Sequence, residues 1–223
     1  MRKLTASAFV SLDGVMQAPG GPQEDPTGGF AFGGWTVPYW QGDDKMGATM
    51  ERLFASPFAL LIGRRTYDIF AAYWPHHEDE IGTAFNAAAK YVVTSSDAPL
   101  AWKGSVAVRG DIPAEIRRLK QEDGPDLLIQ GSSMLLRTLL ADELVDELTL
   151  LTFPVVLGKG KRWYGDDAAP RALDLVDSKI SNQGVTIGRY RPAGKVETGS
   201  FGADEPSEAE LERRRAMRQE QLA

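Results

Sequence analysis

One short segment constrains the fold of this chain more than any other. Residues 58–62 form a continuous apolar run that ends at Gly63, and a helical pattern follows at 65–73. A run of this kind is typical of a central strand that is buried on both faces. Such strands belong to parallel sheets whose two sides are covered by helices. The segment therefore predicts an α/β fold.

The same alternation of strand and helix continues through most of the chain. Further strands are predicted at 4–12, 90–94, 105–108, 126–130 and 147–156, and further helices at 45–55, 113–122 and 132–141. Ser132 is the expected N-cap of the last of these helices. Two final strands, near 173–180 and 185–191, flank an Asn-Gln-Gly turn and predict a hairpin. We expect a mostly parallel central sheet flanked by helices, with an antiparallel C-terminal hairpin.

The composition of the chain changes after residue 192. Residues 1–192 carry the alternating pattern and are expected to form one domain. Residues 193–223 begin with several glycines and continue into a charged segment, in which 207–210 match a capping box. Few large apolar residues follow, so we expect a polar, partly helical and solvated tail.

Composition also excludes several classes of function. The formal net charge is −6, which disfavours nucleic-acid binding because phosphate neutralisation supplies most of that affinity. The chain has no cysteine and only His76 and His77 as histidines, so we expect no metal site. The sequence shows neither a signal-peptide pattern nor an apolar run of membrane-spanning length. We therefore expect a cytoplasmic protein that does not cross a membrane.

A glycine- and proline-rich segment at 13–44 follows the first strand and cannot be regular structure. Segments this long are usually functional or disordered. This one carries Trp35, Tyr39 and Trp40, and aromatic residues favour packing over a surface. Two interpretations stay open: the segment covers its own end of the core, or its aromatic residues bind a flat substrate as a lid.

Three predicted strands end in small or hydroxyl residues, at 63–66, 94–96 and 131–133. Ligands of open α/β sheets bind beyond the carboxyl ends of the strands. A helix that starts there offers free N–H groups and the positive end of its dipole. Arg64 and Arg65 would add forked donors for a phosphate. Together these residues predict a site for a phosphorylated nucleotide, although each junction alone could be a simple turn.

The same residues carry a resemblance to a known family. Residues 59–67 look like the strand–helix signature of dihydrofolate reductases, 92–96 resemble the next strand and its turn, and 128–133 resemble the glycine-rich turn that holds the cofactor diphosphate. Residues 11–15 are similar to the first strand and loop of the riboflavin-pathway reductases. The chain therefore resembles the dihydrofolate reductase-like family over about residues 1–192, and within it the C-terminal reductase domain of RibD.

The resemblance implies an NADPH-dependent oxidoreductase of riboflavin biosynthesis. Its substrate would be a small heterocycle, as in 5-amino-6-(5-phosphoribosylamino)uracil reductase or dihydrofolate reductase. The implied cofactor-binding residues are Ala8, Val15, Met16, Gly63, Arg64, Arg65, Thr66, Thr94, Ser95, Ser96, Gly131, Ser132 and Ser133. The alternative is a non-catalytic nucleotide- or flavin-binding protein on the same fold.

One departure from folate reductases concerns the acidic residue that they carry on the first helix. The matching position is Gly47, which argues against a folate substrate. A proton must then come from elsewhere, and the candidates are Asp13 first, then Asp43 or Asp44. For Asp13 the alternative is a simple Asp-Gly turn.

Two further interpretations concern the region after residue 146. Lys159, Lys161 and Arg162 could form a second phosphate pocket or an exposed turn. The strand edge at 149–156 could serve a homodimer, as in related reductase domains.

Overall fold

In a computed structural model of the protein, residues 1–42, 44–165, 168–202 and 205–220 are described. Within these residues one eight-stranded sheet has the order β4-β3-β2-β5-β1-β6-β8-β7. The strands are β1 Leu4–Ser11, β2 Phe58–Gly63, β3 Lys90–Val93, β4 Ser105–Val108, β5 Asp126–Gln130, β6 Glu147–Phe153, β7 Leu173–Ile180 and β8 Thr186–Pro192.

The predicted sheet is confirmed in both its parallel and its antiparallel parts. Strand β1 pairs in parallel with β5 and β6, β2 with β5 and β3, and β3 with β4. Strand β8 pairs antiparallel with β6 and with β7. The C-terminal hairpin therefore closes one side of an otherwise parallel sheet.

Both faces of the sheet are covered, as the apolar run at β2 predicts. Ala59 and Leu61 point into one cluster of buried residues, whereas Leu60 and Ile62 point into another on the opposite face. Burial of a large aliphatic side chain contributes about 1.5–3 kcal/mol to stability. Alternate residues of one strand thus stabilise both helical layers.

The helices are α1 Asp44–Phe54, α2 Arg64–Tyr73, α3 Glu80–Ala87, α4 Ile112–Gln121, α5 Ser133–Ala141 and α6 Glu208–Glu220. Helix α3 was not predicted, because its start lies in a polar run. Asp79 caps it by accepting a hydrogen bond from the Gly82 N–H at 2.9 Å. Gly82 has no room for a side chain, since a Cβ there would lie 2.4 Å from the His77 carbonyl oxygen.

The prediction of a free strand edge at 149–156 is wrong. Strand β6 lies between β1 and β8, and Leu148–Thr152 pair with the latter. The strand ends at Phe153 because Pro154 cannot donate to a sheet ladder. Strands β4 and β7 occupy the two edges, and a homodimer stays a prediction.

The tail contains the helix that its capping box predicts. Helix α6 buries none of its residues, and the Glu210 N–H donates to Ser207 Oγ at 3.3 Å. A domain boundary at residue 192 stays a prediction. Among the described residues, no helix is both long and apolar enough to cross a membrane.

Candidate active site

A cavity of about 670 Å³ opens beyond the carboxyl ends of the central strands. Gly63 at the end of β2 and Gln130 at the end of β5 line it, as do residues 16–20 of the loop after β1. Its volume lies within the usual range for small-molecule sites. Its location agrees with the rule for open α/β sheets.

One wall of the cavity is polar and consists of residues 63–66 and 131–133, which we call the anion cradle. The Gly63 N–H donates to Ser132 Oγ at 3.0 Å, and Ser132 Oγ donates to Thr66 Oγ1 at 2.9 Å. Gly131 and Ser132 both have left-handed backbones, with φ of 71° and 57°. These contacts join the starts of α2 and α5 at one place.

Ser132 does not cap α5, contrary to the sequence prediction. It occupies the N-cap position, but its hydroxyl makes no capping hydrogen bond because it bridges Gly63 and Thr66. Helix α2 also lacks a side-chain cap. The first-turn N–H groups of both helices therefore present partial positive charge to an anion in the cradle.

Arg64 and Arg65 both line the cavity next to the cradle. Arg64 Nε lies 2.8 Å from Asp68 Oδ1, and Arg65 donates to Thr27 Oγ1 at 3.1 Å. The Asp68 side chain is 54% exposed, and exposed pairs of this kind contribute only about 0.2–1 kcal/mol. Little free energy would therefore be lost if Arg64 exchanged Asp68 for a phosphate.

Some predicted cofactor residues lie outside the cavity wall. Thr94, Ser95 and Ser96 follow the end of β3, where Thr94 Oγ1 accepts from the Ser96 N–H at 3.0 Å. Ala8 and Val15 are buried behind the wall, whereas Met16 lines it. The predicted residues that do line the cavity are Met16, Trp40, Gly63, Arg64, Arg65, Thr66, Gly131, Ser132 and Ser133.

The aromatic loop residues divide between two roles. Trp35 is buried, and its indole N–H donates to the Gln17 carbonyl at 2.8 Å. Its ring packs edge-on against that of Phe153, with the ring centroids 5.3 Å apart. Tyr39 also packs against Phe153, at 5.5 Å. Trp40 contacts Phe9 at 5.6 Å and lines the cavity with it. The geometry thus favours a packing role for Trp35 and Tyr39 and a ligand contact for Trp40.

Asp13 holds two loops together. Its carboxylate accepts hydrogen bonds from Ser11 Oγ at 2.6 Å and from the N–H groups of Leu157 and Gly158 at 3.1 and 2.8 Å. Burial acts to raise the pKa of Asp13, but these hydrogen bonds outweigh it and lower the pKa to about 2. A carboxylate that stays ionised is a poor proton donor, so the geometry disfavours the catalytic role predicted for Asp13.

The other two predicted proton donors are Asp43 and Asp44. Asp43 lies outside the described residues, and so does the side chain of Asp44, the first residue of α1. Helix α1 contributes Met50 and Phe54 to the cavity. At the described positions, the side chains that the first helix presents to the cavity are therefore apolar.

Lys161 and Arg162 both have partners within the chain, and Lys161 also lines the cavity, so the choice between a phosphate pocket and an exposed turn stays a prediction. Lys161 Nζ donates to the Asp25 carboxylate and, at 2.8 Å, to Thr27 Oγ1. Arg162 Nε donates to the Asp13 carbonyl at 2.8 Å. These contacts join the loop after β1 to the turn after β6.

Sequence reasoning missed the polar loop residues at the cavity. Gln17 is buried and donates to the carbonyls of Asp25 and Thr27, at 2.9 Å in each case. Glu24 and Asp25 both line the cavity. The only signal was a Glu-Asp pair within a glycine-rich loop, and nothing in the sequence places that pair beside residue 161.

The described sheet order, with a cavity at the carboxyl ends of its parallel strands, defines a dihydrofolate reductase-like α/β protein. The chain belongs to the RibD C-terminal domain family, whose sequence model matches residues 2–187.

Individual proteins are similar to the chain in sequence or in fold. Uncharacterized protein YyaP of Bacillus subtilis (strain 168) is 29% identical over 131 residues, which cover 56% of this chain and 69% of YyaP. A Shewanella sp. PV-4 protein assigned provisionally to riboflavin biosynthesis has a similar structure, with TM-score 0.60, 18% identity and coverage of 85% and 98% of the two chains. Dihydrofolate reductase of Enterococcus faecalis, complexed with NADP(H), gives TM-score 0.55, 13% identity and coverage of 86% and 96%.

Proposed function

We propose that the protein is an NADPH-dependent reductase of a small heterocyclic substrate, with riboflavin biosynthesis as its pathway and the cytoplasm as its compartment. The observation that carries this proposal is the anion cradle at the edge of a largely apolar cavity. Membership of the RibD C-terminal domain family supports it. The NADP(H) held by the Enterococcus faecalis reductase supports the choice of cofactor.

The chemistry of the donors fits a dinucleotide phosphate. The diphosphate would lie against Gly131, Ser132 and Ser133, where helix N–H groups and a hydroxyl are available. Arg64 and Arg65 would bind the 2′-phosphate that distinguishes NADPH from NADH. No metal is needed for either contact.

The remaining walls suit the reacting part of the substrate. Phe9, Trp40, Phe54, Phe70 and Trp74 give this part of the cavity an apolar, aromatic surface. Such walls exclude water and orient a flat heterocycle. When bound, the cofactor supplies the hydride.

Nucleotide titration tests the proposal. Trp40 and Trp74 line the cavity, so tryptophan fluorescence should report on binding. NADPH should bind at least about tenfold more tightly than NADH, which is a difference of about 1.4 kcal/mol. Replacement of both Arg64 and Arg65 by alanine should abolish this preference, whereas the control variant Arg117→Ala, at an exposed position of α4, should retain it.

Substrate-dependent turnover separates a reductase from a protein that only binds nucleotides. NADPH oxidation should require a heterocyclic acceptor, such as 5-amino-6-(5-phosphoribosylamino)uracil. Dihydrofolate is the second acceptor to test, although Gly47 argues against it. Preferential binding of FMN would instead support the flavin-binding alternative. Absence of binding to either nicotinamide nucleotide would refute the proposal.

A further inference from the structure

The loop after β1 brings two adjacent carboxyl groups to the cavity, in opposite surroundings. Asp25 is buried and accepts hydrogen bonds from Lys161 Nζ and from Thr27 Oγ1. Burial acts to raise the pKa of Asp25, but these donors and the charge of Lys161 lower it. Asp25 therefore stays ionised and holds the loop in place.

Among the described residues, no cation contacts the carboxyl group of Glu24 in this way. Its Oε2 accepts a hydrogen bond from the Gly20 N–H at 2.6 Å, and its own N–H donates to the Gly21 carbonyl at 3.2 Å. The described cations of the same cavity have other partners: Lys161 contacts Asp25, Arg65 contacts Thr27, and Arg64 contacts Asp68. The contacts of Glu24 thus fix one oxygen and leave its carboxyl group without a balancing charge.

The surroundings of Glu24 favour its neutral form. The residue is half-buried among the walls of a largely apolar cavity. Burial raises the pKa of Glu24, the neighbouring charge of Asp25 raises it further, and the hydrogen bonds from Gly20 and Gly21 only partly oppose this. A neutral carboxyl group can donate a proton, and pairs of carboxyl groups with divergent pKa values mark such roles.

The position of Glu24 also bears on the source of the proton, because this chain has Gly47 where folate reductases carry an acidic residue on the first helix. Helix α1 contributes Met50 and Phe54 to the cavity, and these side chains carry no exchangeable proton. Glu24 reaches the same cavity from the loop, together with Met16 and Trp40. The loop therefore supplies a carboxyl group to the cavity.

We propose that Glu24 is the proton donor of the reduction, and this inference rests on the proposed function. As the carbon of a C=N or C=O bond gains hydride from NADPH, the π electron pair moves to the heteroatom. The heteroatom takes the proton from the Glu24 carboxyl group. The resulting carboxylate then regains a proton from water, which returns Glu24 to its neutral form for the next turnover.

The test is a kinetic comparison of wild type with Glu24→Gln. Glutamine keeps an acceptor for the Gly20 N–H but cannot donate the acidic proton. With 5-amino-6-(5-phosphoribosylamino)uracil and dihydrofolate as probes, kcat should fall about 100-fold or more, while the Kd for NADPH stays within about twofold. Wild-type kcat should fall as pH rises through the Glu24 pKa, and the variant should lack that dependence. The control variant Glu51→Gln, exposed on α1, should behave like wild type.

Chemical rescue of a second variant, Glu24→Ala, is a test that does not depend on the behaviour of Glu24→Gln. Added formate should restore part of the turnover lost in Glu24→Ala, because a small carboxylic acid can replace the missing donor. A Glu24→Gln enzyme with kcat within about threefold of wild type, or an alanine variant without rescue, would overturn the role of Glu24 alone. If wild type binds NADPH but reduces neither probe, the proposed function fails, and the role of Glu24 fails with it.

Discussion

Replacement of Asp13 by asparagine should measure how strongly this carboxylate joins the loop after β1 to the turn after β6. The Asp13 side chain is only 20% exposed, and its carboxylate accepts four hydrogen bonds, one of them from Arg162 at 3.4 Å. Its pKa is about 2, against an ordinary value of 3.8. This difference of about 1.8 pH units corresponds to about 2 kcal/mol at 1.36 kcal/mol per unit.

The sign of the pH dependence follows from the lowered pKa. The unfolded chain binds the Asp13 proton more tightly than the folded protein does, so stability rises with pH through this window. The contribution should be fully present above about pH 4 and lost as pH falls through about 2. Asparagine should remove this contribution, and its NH₂ group would also face backbone donors.

Urea unfolding, followed by circular dichroism at several pH values, is the appropriate assay. Asp13→Asn should lower the free energy of unfolding by about 2 kcal/mol at neutral pH, and the difference from wild type should shrink towards about pH 2. The matched control is Asp97→Asn, since Asp97 pairs with Arg109 but is 97% exposed, so a loss below about 1 kcal/mol is expected. Equal losses in the two variants would refute this account of Asp13.

Three further predictions concern stability. Burial lowers the pKa of Lys90 to about 8 from 10.5, so the free energy of unfolding should rise as pH increases between these values, and urea titration of Lys90→Met should show no such rise. Gly33→Ala should cost about 1–3 kcal/mol in thermal unfolding, because its Cβ would lie 2.4 Å from the Gly21 carbonyl oxygen; Gly47→Ala, with open space around it, should not destabilise. Lys161→Met would leave the buried Asp25 without its cation and should cost about 3–5 kcal/mol by urea unfolding; a loss below about 1 kcal/mol would contradict the pairing.

The sheet was predictable because its signals are local. The apolar run that ends at Gly63 specifies a strand with two buried faces, and the structure places Ala59 and Leu60 on opposite sides of it. Helix α3 was missed because polar residues at its start conceal the pattern, although Asp79 is a regular N-cap. Local signals therefore predict most elements and fail where a helix begins in a polar run.

The site was less predictable because its contacts are distant in sequence. The turns at 63–66 and 131–133 could be recognised individually, and the structure joins them through Ser132. The backbone N–H groups that donate to Asp13 belong to Leu157 and Gly158, which follow it by 144 and 145 residues. A lone Asp-Gly pair gives no information on these donors, and so the hydrogen bonds that join Asp13 to the turn after β6 could not be predicted from the sequence.

The most direct test of the nucleotide site is an amide NMR spectrum of the protein recorded before and after addition of NADP⁺. The account predicts that the largest shifts fall on the anion cradle, residues 63–66 and 131–133, where the N–H groups at the starts of α2 and α5 would contact the phosphates. Shifts confined to other parts of the sheet, or an unchanged spectrum at saturating NADP⁺, would contradict it.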